Sequence, residues 1–309
     1  MKLVFMGTPE FAVPTLKALI ESPHEVAGVF TQPDKPVGRK QILTPPPVKV
    51  CAENNDIPVF QPNSLRNGQA LEIIKEISPD AIVVVAYGKI LPKDILDFPR
   101  YGCICGHASL LPRHRGASPI QWAVVSGDTK AGITTMLMDE GIDTGDMLLS
   151  ASTDIAEDET AGTLHDKLCV IAADLMIDTL KGLEKGEIIP EKQDDSLSCY
   201  APIITKEMGF LDFKKPAQEI CNLIRGFNPW PNAYFFLDGK RMKVFSASPR
   251  AKTDKAPATV ISSSDELIIA CADGTSLALL EIQPEGAKRM KTVDYLKGHR
   301  IEVGTVIGE

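Results

Sequence analysis

The chain has 309 residues, 44% hydrophobic and 24% charged, with a net charge of −8; this excludes disordered and fibrous classes and is long enough for two cores. The longest apolar runs, Ala81 to Ala86 and Met147 to Leu149, fall far short of a membrane span, and Met1-Lys2 leads into strand-like residues rather than a signal peptide, so a cytoplasmic protein is expected. Seven cysteines without a Cys-x-x-Cys spacing give neither a disulfide framework nor a zinc site. The negative charge is unevenly spread: residues 1–205 carry net −10, and the chain from Lys206 onward carries net +2, which permits a polyanion-binding C-terminal part.

Lys2 to Met6 reads as a short strand, Gly7-Thr8-Pro9-Glu10 as its turn, and Phe11, Leu16 and Leu19 as the buried face of a helix leading to a strand at Val26 to Phe30. That is a βαβ opening, which implies a parallel sheet. The turn lacks the three-glycine spacing of a dinucleotide cradle and reads as a tight structural turn. Thr31 to Val48 reads as a Pro/Gly-rich loop without periodicity of its own, with Arg39 and Lys40 at its centre. Two readings stand there, a solvated linker and a loop touching a phosphate backbone.

A helix at Val50 to Asn55, a brief strand at Val59-Phe60 and an amphipathic helix at Leu71 to Ile77 precede Asp80 to Tyr87, the most apolar strand in the chain. It ends at Tyr87-Gly88-Lys89-Ile90-Leu91-Pro92. Ligands gather outside the carboxyl ends of such strands, so this end and the segment after it form the default site. That segment sets His107 between small residues, before Ser109-Leu110-Leu111-Pro112. Cys105 and His107, two apart, share one face of an extended strand.

A lone histidine is also read as a buried structural group. Downstream, a helix at Gln121 to Val125 and a strand at Gly132 to Met138 run into a glycine-bracketed acidic loop, Asp139 to Asp146, that can bring Asp143 to the imidazole. Neutral His107 then accepts a proton from an attacking amine and Asp143 stabilises the cation, which suits acyl transfer. One His with one or two Asp makes a poor metal set.

Thr160 to Lys185 reads as a long amphipathic helix, in which His165 has no nameable partner, and residues 186–206 lose periodicity as a linker does. Beyond Glu207 come a helix at Ala217 to Arg225 and short strands at Ala233 to Leu237, Met242 to Phe245, Thr259 to Ile261, Leu267 to Cys271 and Leu277 to Gln283, with Asp-Gly hairpin signals at Asp238 and Asp273. Interspersed Lys240, Arg241, Lys243, Lys288 and Arg289 suggest a small β-barrel of the oligonucleotide-binding kind. A structural appendage with a solvated surface fits the same pattern.

Gly102-Cys-Ile and His107-Ala-Ser-Leu-Leu-Pro112, with Met138-Asp-Glu-Gly-Ile-Asp143-Thr-Gly-Asp-Met147, resemble the folate-dependent formyltransferases. Phe5-Met-Gly-Thr-Pro-Glu-Phe11, Phe30-Thr-Gln-Pro-Asp-Lys-Pro-Val-Gly-Arg39 and Phe227-Asn-Pro-Trp-Pro231 narrow the resemblance to the branch acting on methionyl-tRNA, over nearly the whole chain. It implies an α/β fold: a Rossmann-like catalytic domain with a parallel-rich sheet at 1–189, a linker at 190–206 and an OB-like tRNA-binding barrel at 207–309. It also implies formyl transfer from 10-formyltetrahydrofolate to the α-amino group of methionine on initiator tRNA, with His107 and Asp143 catalytic and no metal. The folate pocket would comprise Tyr87, Gly88, Ile90, Leu91, Ser109, Leu110, Leu111, Pro112, Asp139, Gly141 and Ile142. The tRNA would be met by Arg39, Lys40, Lys240, Arg241, Lys243, Lys288 and Arg289. A monomer is expected.

One position departs from the resemblance. The family has a catalytic Asn two residues before the His, where this chain has Cys105, and a thiol is a weaker donor to a developing oxyanion than an amide. Alternatives therefore stand beside the main reading: a formyltransferase acting on a nucleotide sugar or glycinamide ribonucleotide, a formyl-folate hydrolase, or a catalytically weak tRNA-binding homologue.

Overall fold

The computed structural model describes residues 1–38 and 40–307; Arg39, singled out in the sequence, lies outside the described residues. The chain forms two compact units, one of residues 1–119, 131–153 and 165–201, the other of residues 120–130, 154–164 and 202–309.

The first unit is built on β1 (Lys2–Gly7), α1 (Val13–Glu21), β2 (Glu25–Phe30), a hairpin of β3 (Lys35–Val37) and β4 (Ile42–Thr44), α2 (Pro47–Glu53), β5 (Val59–Phe60), α3 (Gln69–Ile77), β6 (Ala81–Val85) and α4 (Lys93–Leu96). There follow β7 (Cys103–His107), β8 (Arg115–Gly116), β9 (Lys130–Leu137), β10 (Met147–Asp154), the greater part of α6 (Ala161–Lys185) and β11 (Tyr200–Ala201); α5 (Pro119–Val125), between β8 and β9 in the chain, belongs apart from Pro119 to the second unit. Seven strands make one sheet in the order β10-β9-β7-β6-β1-β2-β5. From β5 to β7 every pairing is parallel, and β7 with β9 is antiparallel.

β1 and β6 lie at the centre because their residues are apolar on both faces, as a strand covered on both sides requires. One face buries Val4, Met6, Ile82, Val84 and Cys103 against Ile74 of α3 and Ile95 of α4. The strand order reverses between β1 and β6, the switch point beside which open α/β sheets hold ligands. There the Tyr87 carbonyl accepts from Thr8 Oγ1 at 3.0 Å and from Gln32 Nε2 at 3.1 Å. Gly7 is a packing requirement: a Cβ there would lie 2.7 Å from the Phe5 ring and 2.9 Å from Ala12 Cβ.

Three segments differ from the sequence reading. Thr31 to Val48 is not an irregular loop; it folds into the β3–β4 hairpin, with Val37, Ile42 and Leu43 exposed. α2 begins at Pro47 rather than Val50, because a proline with no N–H to lose is well placed in a helix's first turn. Residues 147–154 form an edge strand: its apolar start, Met147 to Leu149, is short, and the alternation beyond it is carried by Ser, Ala, Thr and Asp, which gives little strand signal. His165 does have partners, Asp166 at 3.0 Å and the Phe11 ring in a T-shaped arrangement. No helix among the described residues is long and apolar enough to cross a membrane.

The second unit contains α7 (Ala217–Gly226), β12 (Ala233–Leu237), β13 (Lys240–Arg250), β14 (Val260–Ser262), β15 (Leu267–Ala270), β16 (Ser276–Pro284), β17 (Met290–Lys291) and α8 (Thr292–Gly298). The strands form an antiparallel half-barrel, β12-β13-β16-β15-β14 with β17 on β16. Ile220, Ile224, Phe235, Val244, Ile269 and Ile282 meet in its core. Both Asp-Gly pairs turn as read, with φ of 50° and 72° at Asp238-Gly239 and 56° and 66° at Asp273-Gly274. β13 runs past Phe245 because its register shifts around Ser246, a bulge that lets Ser-Ala-Ser-Pro stay paired after the apolar alternation ends.

Candidate active site

β7 is extended through His107, so Cys103, Cys105 and His107 point to one face of the sheet. β9 returns antiparallel and ends beside the start of β7, where Met138 N–H donates to the Cys103 carbonyl at 2.8 Å. The acidic loop therefore begins at the far end of β7 and travels back along the sheet to set Asp143 beside His107. The sequence reading placed the site outside the carboxyl ends of the strands; this loop reaches it from the opposite end.

His107 is buried, with Nε2 3.0 Å from the His114 carbonyl and Nδ1 3.6 Å from Asp143 Oδ1. A carbonyl only accepts, so Nε2 carries the hydrogen and the neutral ring keeps its lone pair on Nδ1, beside the carboxylate. Asp143 Oδ2 accepts from the Gly116 backbone N–H at 2.8 Å. His114 and Asp143 both have φ of 55°, a left-handed backbone that costs a non-glycine residue about 1 kcal/mol or more. Both strained residues thus supply an oxygen to His107.

Local bonds hold those oxygens. Ser109 Oγ donates to the Arg113 carbonyl at 2.6 Å, and Thr134 Oγ1 donates to the Ser109 carbonyl while accepting from Leu111 N–H. In the acidic loop, Asp139 accepts from Gly141 N–H and Thr144 Oγ1. A Cβ on Gly145 would sit 1.7 Å from the Leu137 carbonyl oxygen, so only glycine lets the loop close.

Burial, reinforced by the Asp143 charge, pushes the Cys105 thiol far above its ordinary value. Cys105 is a neutral S–H group at physiological pH, with no activated thiolate character.

The proposed folate positions differ in environment. Tyr87 is buried and its hydroxyl has no hydrogen-bond partner among the described residues. Leu91 and Ile95 belong to one buried cluster against which Met138 packs, so the segment after β6 and the root of the acidic loop share it. Ile90 and Ile142 are exposed apolar side chains, 65% and 56% accessible, and Leu111 is buried. Asp139 is committed to its own loop. Among the described residues no group of three or more His, Cys, Asp or Glu is arranged to hold a metal ion.

The basic residues of the second unit lie on β13 and just before β17. Arg241 and Lys243 lie on the outer side of β13, opposite Phe236 and Tyr234, and the Arg241 guanidinium stacks 4.0 Å from the Tyr234 ring. Lys240 is exposed at the hairpin turn and Lys288 in the segment before β17. Arg289 is paired with Glu281 at 2.5 Å and covers Phe245.

Several groups at His107 were invisible in the sequence: the His114 carbonyl, the Gly116 N–H, and Gln193 with Arg115, which hold the Asp143 loop. Two are backbone atoms. Gln193 lies in a stretch whose lack of periodicity gave no signal.

Known proteins share both units. The family model described as formyl transferase matches residues 1–180, and that described as formyl transferase, C-terminal domain, matches residues 203–300. A methionyl-tRNA formyltransferase of Caldanaerobacter subterraneus subsp. tengcongensis is 52% identical, over 99% of this chain and 100% of its own. One from Citrifermentans bemidjiense is 50% identical, over 100% and 97%. Among solved structures, the sugar 3N-formyl transferase WlaRD superposes with a TM-score of 0.69 at 17% identity, covering 93% of this chain and 99% of its own. The methionyl-tRNA formyltransferase from Clostridium thermocellum superposes with 0.54 at 20%, over 80% and 93%. These superpositions support the fold.

Proposed function

The chain belongs to the formyl transferase family, and from that premise we propose that it transfers the formyl group of 10-formyltetrahydrofolate to the α-amino group of methionine on initiator tRNA, as a cytoplasmic monomer acting in translation initiation. The observation that carries the choice of acceptor is likeness from end to end, second unit included, to proteins named methionyl-tRNA formyltransferase.

The donor supplies an electrophilic formyl carbon. His107, with Nε2–H tied to His114, offers the Nδ1 lone pair to the proton that the attacking amine must lose; once protonated, Nδ1–H faces Asp143 Oδ1 and both ring N–H groups have acceptors. The Asp143 carboxylate is oriented by the Gly116 N–H. Cys105 stands where the resemblance places the donor to the formyl oxygen. Tyr87, with its unpartnered buried hydroxyl, and apolar Ile90, Leu91, Leu111 and Ile142 fit an aromatic ligand bearing a few polar atoms; Gly88, Ser109, Leu110, Pro112, Asp139 and Gly141 complete the proposed folate site. Lys40, Lys240, Arg241, Lys243, Lys288 and Arg289, with Arg39, are proposed to track the tRNA backbone.

The deciding experiment incubates the purified protein with methionyl initiator tRNA and 10-formyltetrahydrofolate and measures formyl-methionyl-tRNA. Transfer is expected, and none to an amino sugar nucleotide; the reverse pattern removes the assignment. In gel shifts, Arg241→Ala with Lys243→Ala should weaken tRNA binding and flatten the slope of log K against log salt by about 1 for each phosphate no longer neutralised. An unchanged slope would take both residues out of the interface.

A further inference from the structure

Residues 191–201 are fastened at both ends. Glu191 and Met147 exchange backbone hydrogen bonds at 2.8 Å, and β11 pairs with β8, with Arg115 N–H donating to the Cys199 carbonyl at 2.9 Å and Ala117 N–H to the Ala201 carbonyl at 3.0 Å. Between these fastenings the Gln193 amide donates from Nε2 to the carbonyls of Asp143 at 2.9 Å and Gly145 at 2.8 Å. Its Oε1 accepts from Arg115 Nε at 3.0 Å and Nη2 at 2.8 Å. Both amide hydrogens and the oxygen are engaged, and because a guanidinium only donates, Arg115 fixes which way the amide faces.

We propose that Gln193, oriented by Arg115, is a positioning residue that sets the Asp143 carboxylate against His107; this rests on the formyl transfer proposed above. Arg115 and Gly116 grip Asp143 twice, through the Gly116 N–H on the carboxylate and through Gln193 on the residue's own carbonyl. The grip matters because Asp143 holds a left-handed φ of 55°, which relaxes unless its neighbours over-determine it. It matters also because 3.6 Å between Oδ1 and Nδ1 lies just beyond a hydrogen bond, so a small displacement decides whether the gap closes when substrate is bound. Gly116 in turn depends on the same strap: a Cβ there would lie 2.7 Å from the Tyr200 ring and 2.8 Å from the Ala201 carbonyl oxygen.

The test compares Gln193→Ala with Gln193→Glu, which keeps the length and the Arg115 pairing but replaces both donors with a carboxylate facing two carbonyls. Each is expected to lower kcat about 10- to 100-fold with KM for both substrates within about twofold, since a misplaced catalytic group weakens the transition state and leaves ground-state binding intact. On an Asp143→Ala background, Gln193→Ala should lower the residual rate no further, because residues acting through one group are not additive. Wild-type kcat in both variants, the same loss repeated on Asp143→Ala, or failure of both variants to fold overturns the inference. Absence of formyl transfer by the wild-type protein strikes the functional assignment instead.

Discussion

His107→Ala and Asp143→Asn are each expected to lower kcat for formyl transfer by about 10²–10⁴, the range that acid–base groups contribute, with methionyl-tRNA binding retained. The alanine variant removes the imidazole, the side chain on this face of β7 suited to take a proton from the attacking amine and pass it on. The asparagine variant is the more discriminating. It is isosteric, and its amide oxygen can still accept from Gly116 N–H, so the loop keeps its course while the charge beside Nδ1 disappears. If Asp143 acts by stabilising the imidazolium, the rate falls although the site keeps its shape. Initial rates with saturating donor and acceptor, beside thermal melts showing each variant folded, provide the measurement. Near-normal turnover in either would leave His107 as the buried structural histidine that the sequence alone also permitted.

Strands with apolar residues on both faces and helices with spaced leucines announce themselves through burial, so the β1-α1-β2 opening and β6 are legible in the sequence. So are the two Asp-Gly hairpins, which rest on local backbone preference. The antiparallel return of β9 is not legible. Residues 132–138 show alternation but nothing that sets direction, and that direction makes the acidic loop run back along the sheet to His107. The pairing of His107 with Asp143 could be argued from residue chemistry, since an imidazole and a carboxylate between glycines form an acid–base set. The parts that orient the pair were hidden for physical reasons: a carbonyl at His114 and an N–H at Gly116 exist at every position of a chain and become specific only when φ/ψ aim them. Gln193 acts through an amide that resembles any surface glutamine until Arg115 fixes its direction. The β3–β4 hairpin escaped because prolines, read as breakers, sit in a short exposed ladder and at a helix start, where they cost little.

Cys105→Asn is expected to retain formyl transfer or raise it, by up to about 10²-fold, the lower end of what a single oxyanion donor contributes elsewhere. The position lies on the same face as His107, two residues earlier on β7, where the family's amide stands. A neutral thiol is a weak donor and an amide a good one. The rival view, that Cys105 is a nucleophile activated by its neighbours, requires a thiolate, and both burial and the Asp143 charge oppose that form. Cys105→Ala separates the remaining possibilities. A rate equal to wild type shows that the thiol contributes nothing and that backbone N–H groups or water carry the formyl oxygen; a loss of a few-fold, reversed by Asn, shows a weak donor replaced by a stronger one. A well-folded Cys105→Asn enzyme with no activity would contradict both and give the sulfur a chemical role of its own, which alkylation at alkaline pH followed by peptide mapping would then locate.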